Sequence, residues 1–386
     1  MDFELSEEQK MIRDMAHEFV ERELTPEVIK EHERQHRFPY EIMKKMAPLG
    51  LTGGTVPQKY GGAGMDWVSH GLVSEEIGRA WFSLCLIVEL VQVGLVEMPI
   101  VWFGNEAQKQ KYLFPLVKAE KIGSLCAVEP NVGSDGTAVE TRAVLDDDYW
   151  VINGSKTWVT NTSDADVNIV LVQTDKSKGT RGLALLFLEK GTPGFSVKNI
   201  DWKTGVHSAH TCEISIVDCR VPKENLLGEV GKGFQIAMSG INNVRYSLAA
   251  GCTGLAQACI DASVKYAKER NQFGKPIGSF QLIQEKIADM IVETEAARLL
   301  YLHVGYLKDK GLPFLRETSI AKIYATELAL RASTSAMKIH GAYGYCDEFP
   351  VERYFRDVMA PTIFGGTNEI HRLIISRDIL GISAFT

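Results

Sequence analysis

The chain has 386 residues, 45% of them hydrophobic and 24% charged, which is typical of a globular protein with a large buried core. Its net charge of −7 and its lack of a Lys/Arg cluster argue against general binding to nucleic acid or anionic membranes. The seven cysteines are scattered and form no CxxC pair, so neither a disulfide framework nor a structural zinc site is expected. We predict buried, reduced thiols.

The N-terminus is charged from its second residue, which is not typical of a secretory signal or a transit peptide. No apolar run is expected to be long enough to span a bilayer. These features predict a cytoplasmic protein.

The first part of the chain predicts helices. Ser6 and Gln9 have the spacing of a capping box, and apolar residues at helical spacing follow them. Similar periodicity recurs over 39–49, 67–80 and 107–119.

The period changes from about residue 123 to residue 229, where short β-branched and aromatic runs alternate with Gly, Asp, Asn and Pro turns. Helical periodicity then returns over 240–269, 280–308 and 316–341. The order helix, strand, helix predicts an α+β fold of three domains. Their expected boundaries are 1–122, 123–229 and 230–386.

Two stretches of the middle domain could hold a ligand. Gly133, Ser134 and Asp135 lie in a turn whose N–H groups could face an anion or a carbonyl, although a plain loop is the commoner reading. Trp158 and Thr160 lie two apart on a predicted strand, so a flat ring could stack on the indole while the hydroxyl bonds its edge.

The C-terminal part contains a third candidate. Arg270 ends an amphipathic helix with Phe273 close by, and a guanidinium and an aromatic ring together suit a pyrophosphate and an adenine. A solvated helix end is the plain alternative.

Taken in order, "AVEPNVGSD", "NGSKTWVTN", "ERNQFGKPIGSFQ", "GAYGY", "RYFRD" and "GGTNEIHR" resemble the motifs of the acyl-CoA dehydrogenase family over essentially the whole chain. The resemblance implies an N-terminal α-domain, a middle β-barrel domain and a C-terminal four-helix bundle, assembled as a homotetramer. It implies FAD as cofactor, an acyl-CoA as substrate and electron-transferring flavoprotein, or a similar acceptor, as partner.

The resemblance also assigns residues. Trp158 and Thr160 would contact the isoalloxazine, and Arg270 and Phe273 would reach the FAD of a neighbouring subunit. The other positions that match the cofactor site are Val128, Ser134, Gln281, Lys338, Gly341, Ala342, Thr367 and Glu369. The positions that match the substrate site are Ser134, Asn242, Arg245, Phe364, Gly365 and Gly366. Arg245 is the arginine beside the active centre.

Three residues depart from the family around FAD. Val128 stands where a Thr commonly bonds the flavin, Lys338 where a Gln commonly contacts FAD, and His207 where an Arg is common. These three differences concern individual contacts with FAD and not the binding of FAD as a whole.

A larger departure concerns the base that removes the Cα proton. The family's usual glutamate falls at Gly365 here, and the alternative position of some members falls at Val244. A lost general base lowers the rate by roughly 10²–10⁴-fold. The chain is therefore either nearly inactive as an ordinary dehydrogenase or uses another acid.

We hypothesise that Glu89 is the acid that replaces the missing base, because it lies in the middle of an apolar helical run. A buried carboxylate has a raised pKa, which suits a base, although pairing with a Lys, Arg or hydroxyl is the plain alternative. Glu97 is a second, weaker candidate. In the family this helix lines the far end of the acyl pocket.

A base at that end could reach the γ-carbon of an α,β-unsaturated thioester and permit a 1,4-elimination. Members of the family that act on alicyclic thioesters in anaerobic aromatic metabolism resemble this pattern, and cyclohex-1-ene-1-carboxyl-CoA is the expected substrate. No Arg or Lys lies between 82 and 100, which disfavours a glutaryl-like carboxylate. The alternatives are 1,2-dehydrogenation of an ordinary or branched acyl-CoA, and a catalytically silent acyl-CoA-binding flavoprotein.

Overall fold

The computed structural model describes residues 4–384 and runs from helices through one large sheet to helices again. The N-terminal helices are Glu7–Glu23, Pro26–Gln35, Tyr40–Met46, Trp67–Ala80, Phe82–Phe103, and the consecutive segments Glu106–Gln108, Lys109–Leu113 and Phe114–Val117. The C-terminal helices are Gly233–Glu269, Gln281–Asp309, Leu315–His340, Val351–Asp357 and Asn368–Leu380. The predicted α+β fold class, with helical, sheet and helical domains, is confirmed.

The first helix begins where the sequence predicts. The Ser6 hydroxyl accepts a hydrogen bond from the N–H of Gln9 at 3.2 Å, and the Gln9 side chain accepts one from the N–H of Ser6 at 3.0 Å. These two bonds satisfy N–H groups that have no partner within the helix. The capping box is therefore confirmed.

The middle region forms one eight-stranded, mostly antiparallel sheet in the order β6-β7-β3-β2-β4-β5-β8, with β1 paired to β4. The strands are Gly123–Cys126 (β1), Arg142–Asp146 (β2), Tyr149–Thr160 (β3), Val167–Gln173 (β4), Leu183–Glu189 (β5), Phe195–Asn199 (β6), Thr211–Pro222 (β7) and Leu226–Leu227 (β8).

The sheet curls around a core of its own. Alternate residues of β4, such as Val170 and Val172, join that core, whereas Ile169 and Leu171 pack with the helices. Because successive side chains of a strand point to opposite faces, β4 is buried on both sides.

Five helices surround the candidate site and are named here by one residue each. They are the His70 helix (Trp67–Ala80), the Glu89 helix (Phe82–Phe103), the Arg245 helix (Gly233–Glu269), the Lys308 helix (Gln281–Asp309) and the Lys322 helix (Leu315–His340). The Arg245 helix packs against the other four. It crosses the His70 helix closely, since a Cβ on Gly78 would lie 2.4 Å from the Gly251 carbonyl oxygen.

Three expectations need correction. The helix predicted over 240–269 begins earlier, at Gly233. Cys346 is exposed, whereas the other six thiols are buried as predicted. The Glu89 helix, with 22 residues and a mean hydropathy of 2.1, is long and apolar enough to span a bilayer, contrary to the sequence prediction. Its apolar window is 89% buried inside the protein, however, as in the core helix of a globular protein.

Candidate active site

The Glu89 helix is buried along almost its whole length. Its central segment, Leu86–Glu97, is π-helical, a form that the sequence did not predict and that is frequent at functional sites. The segment packs on the Arg245 helix at Gly94, where an added Cβ would lie 3.2 Å from Val244 Cγ2. Gly94 thus permits a close approach between the two helices.

The Glu89 carboxyl group is 1% exposed and has polar partners on one oxygen only. Its Oε2 accepts a hydrogen bond from the Ser74 hydroxyl at 3.2 Å and lies 3.3 Å from His70 Nδ1. Its Oε1 has no hydrogen-bond partner among the residues of 4–384. One oxygen is therefore held in place, and the other is free to accept a proton.

Glu89 Oε2 and His70 Nδ1 lie 3.3 Å apart, and both groups are largely neutral at pH 7. Burial raises the pKa of Glu89 to about 8, with a smaller opposing effect from Ser74. Burial lowers the pKa of His70 to about 3, and the positive charge of Lys308 adds to this shift. The distance alone would permit an ion pair, but both shifts oppose charge separation in this dry site.

Glu97 is a second buried acid on the same helix, 0% exposed. Neither of its carboxyl oxygens has a hydrogen-bond partner within the described part of the chain. Its pKa is raised well above the ordinary value by burial and then by the nearby charge of Glu89. Glu97 therefore shares the burial of Glu89, and a smaller effect from the nearby Gln92 side chain opposes the rise of its pKa.

The Gly365–Gly366 segment also adjoins Val244. Both glycines have left-handed backbones, with φ of 69° and 91°, which few residues other than glycine adopt. Arg245 Nε donates to the Gly365 carbonyl at 2.8 Å, and Lys322 Nζ donates to the Gly366 carbonyl at 2.9 Å. His371 Nε2 also lies 3.2 Å from the Gly365 carbonyl.

Space remains where the family's glutamate would stand. A Cβ added at Gly365 would lie 3.8 Å from both Val244 Cγ1 and Leu248 Cδ2, which is ordinary van der Waals contact. The Val244 side chain thus contacts the Gly365 position through one methyl and the Gly94 position through the other. Val244 is therefore a neighbour that the vacant acid position and the Glu89 helix share.

The side chains around this segment are positively charged or neutral. Burial lowers the pKa of Arg245 to about 10 and that of Lys322 to about 8, so both remain largely protonated at pH 7. Burial, followed by these two cations, lowers the pKa of His371 to about 3 and keeps it neutral. No carboxylate between residues 4 and 384 lies within ion-pair distance of Arg245 or Lys322.

An open groove of about 970 Å³ lies on the sheet, and Trp158 and Val128 line it. Trp158 sits at a bulge in β3 with φ of 57° and is 61% exposed, while Val159 beside it is buried. Thr160 is partly buried and lies outside the lining, and so does Ser134, which is exposed next to the lining residue Gly133. An indole facing an open groove is available for stacking.

A buried ion pair supports the floor of this groove. Lys156 Nζ donates to Glu129 Oε1 at 2.7 Å and to the Ala127 carbonyl at 3.2 Å. Glu129 also accepts the N–H groups of Glu140 and Thr141. The pair is fully hydrogen-bonded and fixes the strand that carries Trp158.

The remaining predicted cofactor residues lie on the C-terminal helices or in the segments that connect them. Arg270 lies over the ring of Tyr343 at 5.6 Å, which brings it to the segment that contains Gly341 and Ala342. Phe273 is 91% exposed. Gln281 and Lys338 are exposed as well. These side chains face outward, so their predicted contact with a neighbouring subunit's cofactor stays a prediction.

Thr367 and Glu369 line a second, smaller cavity of about 230 Å³ at the start of the helix Asn368–Leu380. Thr367 caps that helix by accepting a hydrogen bond from the N–H of Ile370 at 3.3 Å. No residue lines both cavities. Glu369 is exposed and pairs with Arg372 at 3.3 Å, so it does not face the buried site.

Two predicted substrate residues join the Arg245 cluster. Asn242 accepts a hydrogen bond from Arg245 Nη1 at 2.9 Å, and Phe364 packs against the main core. The structure therefore brings Arg245, Asn242, Phe364, Gly365 and Gly366 together.

Comparison with known proteins decides the family. The models for the N-terminal, middle and C-terminal domains of acyl-CoA dehydrogenases match residues 6–120, 124–219 and 231–380. The chain belongs to the acyl-CoA dehydrogenase family. It is an FAD-dependent oxidoreductase that acts on CH–CH bonds of acyl-CoA thioesters.

Relatives of this acyl-CoA dehydrogenase match over nearly its full length. The chain is 44% identical to the probable acyl-CoA dehydrogenase YngJ of Bacillus subtilis, over 98% of this chain and 100% of that one. It is 41% identical to the acryloyl-CoA reductase (NADH) of Anaerotignum propionicum, over 98% of this chain and 96% of that one. The solved butyryl-CoA dehydrogenase of Megasphaera elsdenii superposes with a TM-score of 0.94 at 40% identity, covering 98% and 100%.

The residues of this acyl-CoA dehydrogenase fit FAD. The exposed Trp158 presents a flat apolar face to a groove large enough for a ring system, and the backbone around Gly133 is open, since a Cβ added there would meet nothing within 4 Å. Trp158 would hold the flavin end of the cofactor, whereas Thr160 and Ser134 lie outside the lining and their contact with the flavin stays a prediction.

The sequence missed the partners of Glu89 and of the Gly365 segment. His70 and Ser74 lie four residues apart on one helix, a spacing that places both on one face and could have been noticed. Lys322 and His371 gave no such signal, because only the folded chain brings them to the Gly365 segment.

Proposed function

We propose that this acyl-CoA dehydrogenase oxidises a cyclic, α,β-unsaturated thioester of the cyclohex-1-ene-1-carboxyl-CoA type, with Glu89 as the base. The observation that carries the proposal is the Glu89 carboxyl group itself, with Oε2 held by Ser74 and His70 and Oε1 without a partner. No acid stands at Gly365 or Val244, the two positions that the family uses for its base.

The location of the base supports 1,4-elimination over 1,2-elimination. Glu89 belongs to the helix that packs on Val244 at Gly94, whereas the family's usual base position is Gly365, so we assign Glu89 to a carbon further from the thioester than Cα. In an enoyl thioester, conjugation acidifies the γ-proton as the carbonyl acidifies a Cα proton. The space left by Gly365 would accommodate part of a ring.

Each residue then has a role in the reaction. When bound, FAD supplies a hydride acceptor at its N5 atom. Glu89 Oε1 takes the γ-proton, and the apolar helix around it excludes water, which strengthens the electrostatic effects of the site. Arg245 holds the Gly365 carbonyl and thereby fixes the 364–367 segment beside the acyl group. Trp158 and Thr160 orient the flavin.

The assembly and partners are part of the same proposal. Exposed apolar side chains on the Lys308 helix, including Leu282, Val292 and Leu299, and near the C-terminus, including Ile379 and Leu380, support assembly with other copies of the chain. A homotetramer would bring Arg270 and Phe273 to a neighbouring cofactor. Electron-transferring flavoprotein is the proposed acceptor, and the cytoplasm is the proposed location.

A second candidate is 1,2-dehydrogenation of a short-chain acyl-CoA. The butyryl-CoA dehydrogenase of Megasphaera elsdenii, at 40% identity, favours it. It requires a base near Cα, and no carboxylate of the described residues lies within 4.0 Å of Arg245, the side chain beside that position.

Anaerobic bleaching of the flavin tests the proposal. The purified holoenzyme is mixed with cyclohex-1-ene-1-carboxyl-CoA, cyclohexanecarboxyl-CoA, butyryl-CoA and glutaryl-CoA without an electron acceptor. We expect rapid bleaching by the cyclohexene thioester and a loss of roughly 10²–10⁴ in rate in Glu89→Gln.

Glu97→Gln is the matched control, because Glu97 is equally buried on the same helix. It should retain most of the rate. Bleaching by butyryl-CoA alone would contradict the cyclic substrate, equal losses in both variants would contradict the choice of Glu89, and no bleaching by any thioester would indicate a silent flavoprotein.

A further inference from the structure

The partners of Glu89 form a chain of buried groups from three helices. His70 and Ser74 come from the His70 helix, Glu89 from its own helix and Ser247 from the Arg245 helix. His70 Nε2 lies 2.9 Å from the Ser247 hydroxyl, and both side chains are at most 1% exposed. The imidazole therefore bridges Ser247 and Glu89 out of contact with solvent.

The neighbours of His70 favour one of its two neutral forms. Nδ1 lies 3.3 Å from Oε2 of Glu89, and an ionised carboxylate only accepts hydrogen bonds, so a proton on Nδ1 suits this contact. Neutral imidazole then has its acceptor at Nε2, and the Ser247 hydroxyl must donate to it. When Glu89 is protonated on Oε1, its Oε2 is a carbonyl oxygen. That oxygen can still accept a hydrogen bond from Nδ1, so the same form of His70 suits both states of Glu89.

We propose that His70 is the positioning residue of Glu89: a neutral imidazole that Ser247 holds in the Nδ1–H form, and whose N–H fixes Oε2 so that Oε1 faces the substrate. The inference rests on the proposed role of Glu89 as base. It assigns His70 no proton transfer and no contact with substrate.

The arrangement also affects the acidity of Glu89. A hydrogen bond to the charged form of an acid favours that form, so the Nδ1–H bond opposes the effect of burial. Without it, the pKa of Glu89 should rise by about one unit or more. The base would then be ionised only at a more alkaline pH.

Other titratable groups surround the pair. Lys308 and Tyr246 lie near His70, the ring of Tyr246 at 6.3 Å from the imidazole, and Cys85 and Glu97 lie near Glu89. Burial lowers the pKa of Lys308 to about 7, so it titrates in the same range. All of these groups are unchanged in a series of His70 variants, and differences within the series therefore report the imidazole alone.

Two substitutions of His70 by an amide side chain test its two nitrogens separately. In His70→Asn the amide N–H₂ occupies the place of Nδ1 and can still donate to Glu89. In His70→Gln the longer side chain places the amide near Nε2 and withdraws the donor from Glu89. His70→Leu removes both, and retention of flavin absorbance and of the melting temperature checks that each variant is folded.

The pKa of Glu89 is measured in each resting holoenzyme by infrared difference spectroscopy, with Glu89→Gln used to assign the carboxyl band. The pH profile of kcat and the value of KM are measured in parallel. We expect His70→Asn to match the wild type within a few tenths of a pKa unit. His70→Gln and His70→Leu should shift both midpoints upward by about one unit or more with KM little changed.

An unchanged Glu89 midpoint in His70→Gln, or equal shifts in the Asn and Gln variants, would overturn the inference. That failure is distinct from failure of the proposed function. Full activity of Glu89→Gln would refute Glu89 as base and the inference with it, whereas an inactive Glu89→Gln combined with an unshifted His70 series would refute the inference alone.

Discussion

Val244 adjoins two regions that bury opposite kinds of titratable group. Around Gly365 and Gly366, the cations Arg245 and Lys322 are bonded to backbone carbonyls and have no ion-pair partner in the part of the chain that the structure describes. Around Glu89 and Glu97, two acids are buried, and no Lys or Arg of residues 4–384 lies within ion-pair distance of either. An acid in the first region would ionise readily, whereas burial keeps the acids of the second region protonated until the pH is high.

Under the proposed mechanism, the position of the base sets its pKa as well as the carbon that it reaches. A glutamate at 365 would be stabilised as an anion by its neighbours. Glu89 instead depends on Ser74 and His70, which are neutral donors. The three predictions below test this contrast, beginning with the largest expected effect.

Moving the acid from position 89 to position 365 should change the favoured reaction from 1,4-elimination to 1,2-elimination. In a Glu89→Gln background, Gly365→Glu places a carboxylate beside Arg245 and Lys322, within reach of Cα. We expect bleaching by butyryl-CoA to be faster by about tenfold or more than in the matched Glu89→Gln/Gly365→Gln variant, which has the same backbone strain and no acid. Equal rates in the two double variants would show that the Gly365 region does not face Cα.

The pH profile of the natural enzyme should report the raised pKa of Glu89. The base is active when ionised, so kcat/KM with the cyclohexene thioester should rise with pH and level off above about 8. The Gly365→Glu enzyme of the preceding prediction should level off at a lower pH, because cations lower the pKa of a nearby carboxyl. A profile that is flat from pH 6 upward in the natural enzyme would be incompatible with Glu89 as its base.

The smallest effect concerns stability. The pKa of Glu89 is about 8 in the folded protein against 4.5 when exposed, so folding favours its protonated form. The free energy of unfolding should therefore fall as the pH rises from 4.5 to 8. A glutamine at position 89 cannot titrate and should remove this contribution.

Glu89→Gln should gain stability relative to the wild type between pH 5 and pH 8, by about 1 kcal/mol or more. Denaturant unfolding at the two pH values measures this change, and Glu348→Gln, at an exposed position, is the control. Parallel changes in Glu89→Gln and the wild type would mean that Glu89 titrates normally.

The features that depend on local sequence patterns could be predicted from the sequence. The capping box at Ser6 and the change from helical to strand periodicity near residue 123 depend on neighbouring residues, and both are confirmed. The isolated acid in an apolar run identified Glu89 as a buried carboxyl group, and its burial is confirmed as well.

Contacts between distant residues could not be predicted. His70 and Ser247 are 177 positions apart, and Arg245 and Gly365 are 120 apart, so only the packing of helices brings them together. The π-helical form of Leu86–Glu97 was also missed, because an apolar run fits several helical geometries. The same run proved long enough to span a bilayer, and only its burial showed that it is a core helix.

Val244 has a consequence for how such enzymes diverge. One of its methyls approaches the 365 position and the other approaches Gly94, so 365, 244 and the Glu89 helix form a row of adjoining positions. A lineage could acquire an acid at one of them before losing the acid at another, without any change to the fold.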